Sequence, residues 1–122
     1  MTSTVRHVLA LDLKDEDTAI AEYERHHQPG HVWPEVIAGI RRAGIREMSI
    51  FRVGVRLVMI IEADGAFSFE RKARDDASSA RVSAWEVLMD NYQSPLPGSA
   101  PGRKWALMSE IFKLSDHPPT DT

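Results

Sequence analysis

The sequence contains no cysteine, which excludes a disulfide framework and any thiolate metal site. It also lacks an apolar run long enough to span a membrane. The opening stretch MTSTVRHVLALDLKDED has a short apolar segment cut by Asp12 and no small-residue cleavage site, so it reads as a strand rather than a signal peptide. A cytoplasmic protein is expected. There is no excess of positive charge: the formal net charge is −3 and the sequence pI is about 5.9. The densest basic stretches, Arg41-Arg42 with Arg46 and Arg71-Lys72 with Arg74, lie among acids and read as solvated faces. Nucleic acid is therefore not expected as a partner, and neither, for want of a spanning run, is a membrane. No strand leads into a Gly-rich loop and helix, so nothing cradles a phosphate. No serine sits in a nucleophile elbow.

What is present fits one domain. At 122 residues, the chain can bury roughly two thirds of its unfolded surface. Residues 7–13 alternate with period two, placing His7, Leu9, Leu11 and Leu13 on one side of a first strand. Asp15 to Asp17 supply helix-start chemistry, and Ile20, Tyr23 and His27 fall on one helical stripe that Gln28-Pro29-Gly30 ends. A second helix begins near Trp33, with Pro34 in its first turn and Trp33, Ile37 and Ile40 on its apolar face. Gly44 suits its end. Residues 45–53 and 56–62 read as a β-hairpin closed at Val53-Gly54-Val55. Its second arm is apolar on both faces from Leu57 to Ile61. Helices can cover one face, and a second copy of the sheet is expected over the other, which predicts a homodimer.

Beyond the turn at Asp64-Gly65, helices are predicted at 66–76 and 79–92, the latter with Val82, Trp85, Met89 and Tyr92 on one stripe. Proline-rich residues 94–104 must form a loop, and 105–114 are predicted to form a last strand. The domain is expected to span 1–114, with 115–122 a mobile tail. The order is a βαββαβ plan. It predicts an α+β fold, a ferredoxin-like four-stranded antiparallel sheet with helices on one face.

The chemistry-bearing cluster runs from Tyr23 to Glu35 and holds three of the five histidines, His26, His27 and His31. A helical spacing of four puts the phenol of Tyr23 beside the imidazole of His27, close enough to serve one small ligand together. The bland alternative is a histidine satisfied at a helix end. His27 and His31 also match a metal-binding H-x-x-x-H pair, but Pro29-Gly30 interrupts the helical turn such a pair needs, so no metal is assigned. His26 points about a hundred degrees away and is expected at the surface, while His7 and His117 have no partner visible in sequence. Trp33, Trp85 and Trp105 offer aromatic faces suited either to the core or to the apolar side of a sugar.

Tyr-x-x-x-His near the end of the first helix, Trp-Pro-Glu opening the second, a later Trp-x-x-x-Met and a terminal Ile-Phe-x-Leu together resemble the L-rhamnose mutarotases, in the same order across residues 7–114. The resemblance implies a dimeric α+β barrel that interconverts the α and β anomers of L-rhamnose or L-fucose without a cofactor. It also implies His27 as proton donor, Tyr23 as a substrate-binding tyrosine, and Trp85 as the first of a substrate-binding tryptophan pair. Two positions depart from the pattern: Glu86 stands where the second tryptophan falls, and Met48 where a substrate-binding tyrosine does. Two extra residues also separate His27 from Trp33. Glu86, Met48, Trp33 and His31 are accordingly candidate sugar contacts, and Glu86 brings L-fucose into competition with L-rhamnose. In the implied reaction His27 protonates the ring oxygen while water or a Tyr23-linked base takes the anomeric proton. The alternatives are a monooxygenase-like dimeric barrel and a sugar-binding protein without mutarotase activity.

Overall fold

A computed structural model describes residues 3–99 and 103–120. The predicted loop at 94–104 and the tail at 115–122 therefore lie partly outside the described residues. The elements run β1 (Thr4–Leu13), α1 (Asp17–His26), α2 (Pro34–Arg42), β2 (Ile45–Val53), β3 (Arg56–Asp64), α3 (Phe69–Ala77), α4 (Ala80–Asp90), β4 (Gln93–Ser94) and β5 (Ala106–Leu107). All pairings are antiparallel, with β2, β3, β1 and β4 in spatial order and β5 also on β1. This is the ferredoxin-like sheet that the βαββαβ order predicts.

The register explains the two faces. His7, Leu9 and Leu11 stand opposite Ile61, Met59 and Leu57, which stand in turn opposite Met48, Ile50 and Arg52. Because opposed residues share a face, these rows form one surface, and the helices pack against it. Two buried clusters result. One joins Leu13 and Leu57 of the sheet to Tyr23, Trp85 and Met89 of the helices. The other gathers Leu9, Ile45, Ile61 and Ala63, with Ile40 and Phe67 packed against them. Leu11 and Ala63 are wholly buried. Leucine-sized side chains removed from water to this extent contribute about 1.5–3 kcal/mol each.

The last strand departs from its predicted extent. Instead of running through 105–114, pairing is limited to Ala106 and Leu107 opposite Ala10 and Leu9, plus a hydrogen bond from Met108 N–H to the Val8 carbonyl (2.8 Å). Beyond Met108 the chain makes no further pairing with β1, whose Thr4–Arg6 end is exposed, and it leaves the sheet with Ile111 95% exposed. The short β4 takes up part of the fourth-strand position from the other side of the loop, where helix 79–92 was expected to end and a loop to begin. Helix α4 starts instead at a side-chain cap, Ser79 accepting from Val82 N–H, and stops at Asp90.

Candidate active site

α1 ends at His26, and His27 is its C-cap residue. That places the His27 ring over Tyr23, stacked at 4.2 Å between centroids with 30° between planes. The spacing of four therefore brings the two rings together as predicted. His27 Nδ1 lies 2.7 Å from the Tyr23 carbonyl oxygen. A carbonyl only accepts, so Nδ1 carries the hydrogen, and Nε2 is left with its lone pair for a ligand. Burial pulls the His27 pKa below 6.5, and the nearby His26 adds to the fall, while the bond to the Tyr23 carbonyl opposes it. The imidazole is thus neutral at neutral pH.

Tyr23 is 3% exposed. Burial pushes its pKa up to about 12, with the Glu86 charge adding to the rise and a hydrogen bond from Gln93 working against it. Its hydroxyl keeps its proton. The pair is consequently a neutral base beside a neutral acid.

Both rings open on one cavity of about 1050 Å3 between the helices and the inner face of the sheet. It is generous against the ~300–1,000 Å3 of typical small-molecule sites. Trp85, Glu86 and Met48 line the same cavity. Trp85 is 4% exposed and stands in a T-shaped contact with His27 at 5.5 Å between centroids. Met48 faces the cavity from β2, in the row shared with His7 and Ile61. Glu86 stands at the rim, where Lys104 Nζ reaches its carboxylate at 2.8 Å and that of Asp90 at 2.7 Å. The same ammonium donates to the Glu86 backbone carbonyl at 2.8 Å.

Two candidate contacts fall outside the cavity lining. His31 is exposed. Trp33 instead backs Trp85, edge to face at 5.4 Å, and carries the Arg81 guanidinium 3.9 Å above its ring. His26 also differs from its expected surface position: it is half-buried, with Nε2 3.3 Å from the Tyr92 hydroxyl and its ring against Trp85. His7 packs on Phe67 and Phe69, and His117 stacks on Phe112. Sequence reasoning missed Lys104 and Gln93, both on the cavity wall. Only the topology brings them there, since Lys104 leaves the proline-rich loop and Gln93 opens β4.

No group of three or more His, Cys, Asp or Glu side chains that could hold a metal is found among the described residues. Gly30, at φ 82°, turns the chain between His27 and His31. No helix among the described residues is long and apolar enough to cross a membrane.

An antiparallel sheet with helices on one face, with an imidazole–phenol pair over a cavity between them, is a fold of the dimeric α+β barrel type. The L-rhamnose mutarotase family profile matches residues 6–114, and the chain belongs to that family of sugar isomerases. It is 50% identical over 106 residues to the L-fucose mutarotase of Xanthomonas campestris pv. campestris, covering 87% of this chain and 85% of that one. It is 30% identical over 112 residues to a UPF0734 protein of Dictyostelium discoideum, covering 86% of each. Among solved structures, the L-rhamnose mutarotase of Formosa agariphila aligns with a TM-score of 0.62 at 23% identity, over 90% of this chain and 98% of that one. The tetracenomycin F2 cyclase of Streptomyces glaucescens aligns with a TM-score of 0.54 at 17% identity, over 89% and 94%. These two likenesses are of fold alone.

Proposed function

We propose that this enzyme interconverts the α and β anomers of L-fucose, with His27 and Tyr23 as the acid–base pair. The observation that carries this reading is the His27 imidazole stacked on the buried Tyr23 phenol at one cavity wall, where burial lowers the pKa of the first and raises that of the second. Nε2 of His27 takes the proton of the anomeric hydroxyl, and the Tyr23 hydroxyl gives its proton to the ring oxygen. The C1–O bond to the ring oxygen breaks, and C1 becomes an aldehyde carbon. Rotation about C1–C2 exposes the opposite carbonyl face. Reclosure returns the ring hydroxyl proton to Tyr23 and the imidazolium proton to the anomeric oxygen, restoring both groups. Burial thus alters the order implied by the resemblance: His27 acts first as base and becomes a donor only on reclosure.

The sugar is argued from Glu86. Where the L-rhamnose pattern has a second tryptophan, this cavity has a carboxylate held at the rim by Lys104. An acceptor there suits a hydroxyl presented differently from that of L-rhamnose, in keeping with the 50% identity to an L-fucose mutarotase. Trp85 and Met48 supply the apolar wall against the sugar's C–H face.

A homodimer completes the proposal. The outer sheet face carries Val8, Val58 and Ile60, only half-buried, beside Phe51 at 59% exposure. The arm beyond β5 adds Phe112 and Leu114, 65% and 75% exposed. A second copy is the cover that buries both. The domain at 1–114 and the cytoplasmic location are part of the same proposal.

The test is saturation-transfer NMR of anomeric protons with L-fucose, L-rhamnose and other aldoses. Catalysed exchange fastest for L-fucose is expected. Exchange at the buffer rate for every sugar would refute the activity, and a faster rate with L-rhamnose would refute the sugar assignment.

A further inference from the structure

Gln93 is the one buried polar side chain among the described residues, 8% exposed. Its Oε1 is sealed from water and meets no hydrogen-bond donor. Its backbone position is fixed by β4, opposite Leu13 of β1, and its carboxamide lies beside the Tyr23 phenol, where it works against the burial that raises the phenol's pKa. The residue forms part of the same cavity wall as Tyr23 and His27. A buried carbonyl oxygen left without a donor costs about 1–3 kcal/mol, and an apolar side chain of the same length would avoid that cost. Core packing therefore gives no reason for a glutamine here. A hydroxyl-bearing ligand does.

We propose that Gln93 is a substrate-binding residue, whose Oε1 turns into the cavity and accepts a hydrogen bond from a ring hydroxyl of the bound sugar. The terminal torsion of glutamine is soft, so Oε1 can swing to the cavity surface without moving β4. Because Gln93 and Tyr23 line the same cavity, that bond fixes the substrate relative to the proton donor. This inference rests on the mutarotase reading and adds to it a residue with no counterpart among Tyr23, Trp85, Met48 and Glu86.

The test is Gln93→Met, which keeps length and volume and removes both polar atoms, with Gln93→Leu as a second variant should the first fold poorly. In anomer exchange of L-fucose, KM is expected to rise about three- to tenfold, the loss of one neutral hydrogen bond. The thermal midpoint stays level or rises, because no unpaired oxygen is left in the core. A series of monodeoxy fucoses adds a readout that a structural role would not move. Deleting the partner hydroxyl weakens binding to the wild type by a similar factor and has no further effect in the variant. In 15N-labelled wild type, the side-chain amide pair identified by its loss in Gln93→Met shifts on titration with L-fucose. An unchanged KM, or a midpoint that falls while KM holds, would overturn the proposal. So would an amide pair that stays still on saturation. Should wild-type protein exchange no anomers of any sugar, the mutarotase reading fails and Gln93 with it; exchange with an indifferent Gln93 removes only the latter.

Discussion

Removing the Tyr23 hydroxyl by Tyr23→Phe isolates the proposed proton donor while sparing the packing. The phenyl ring keeps its contacts with Leu13, Leu57, Trp85 and Met89 and its 4.2 Å stack under His27. The backbone carbonyl that fixes His27 Nδ1 is untouched. The structural loss is at most one polar contact of the hydroxyl, which lies beside Gln93, and a hydrogen bond there would be worth about 0.5–1.5 kcal/mol. The chemical loss is larger, because a positioned acid contributes about 10²–10⁴-fold, equivalent to roughly 2.7–5.4 kcal/mol of barrier. Saturation-transfer rates on the L-fucose anomeric protons should therefore fall at least a hundredfold, while a thermal melt moves by only a few degrees. A variant exchanging anomers within threefold of wild type would refute Tyr23 as the donor and leave water in that role.

The pH response follows from the two burial effects. With the folded pKa of His27 held below 6.5, unfolded chains bind a proton near pH 6.5 that the folded state refuses. Stability is then full above that pH and declines as pH falls through it, as urea titrations at pH 7.5 and 5.5 can show; catalysed exchange should drop on the same acid side, at a lower pH set by the folded imidazole. Tyr23 behaves oppositely, because a phenol raised to about 12 favours the fold until pH passes 10 and loses that advantage above it. Lys104→Met should unfasten the loop end from Glu86 and Asp90, raising KM for L-fucose several-fold, and a KM unchanged from wild type would show the clamp to be idle. Gly44→Ala forces an L side chain to φ 93°, with its Cβ 3.2 Å from Asp64 Oδ2. It should cost about 1–2 kcal/mol, seen as a lower denaturant midpoint at unchanged slope. Sedimentation of the full chain should give a dimer, and a monomer at micromolar concentration would contradict the covered-face argument.

The sheet and its helices were legible because local patterns and burial agree. The alternation in residues 7–13 predicted the buried row of Leu9, Leu11 and Leu13. The stripe of α4 predicted the burial of Val82, Trp85 and Met89. The Tyr23–His27 pair was legible too, since one turn of helix fixes it without reference to the rest of the chain. The last strand was not. WALMSEIFKL has strand-like apolar content, yet only Ala106 and Leu107 find a partner, because β1 beyond Val8 presents an exposed end. The sugar-facing wall divided in the same way. Trp33 lies on the apolar stripe of its helix, and tertiary packing turns it behind Trp85 instead of into the cavity. Gln93 and Lys104 reach the cavity through β4 and the loop after it, so their place depends on pairing with β1 and on an ion cluster, neither of which leaves a local signature.

The central claim is that the His27 imidazole moves the anomeric proton. Its most direct test is the L-fucose exchange rate of His27→Ala beside wild type at neutral pH, with circular dichroism to check that the sheet persists. A folded variant whose rate falls to that of buffer is the predicted result, and a folded variant exchanging at the wild-type rate would contradict the account.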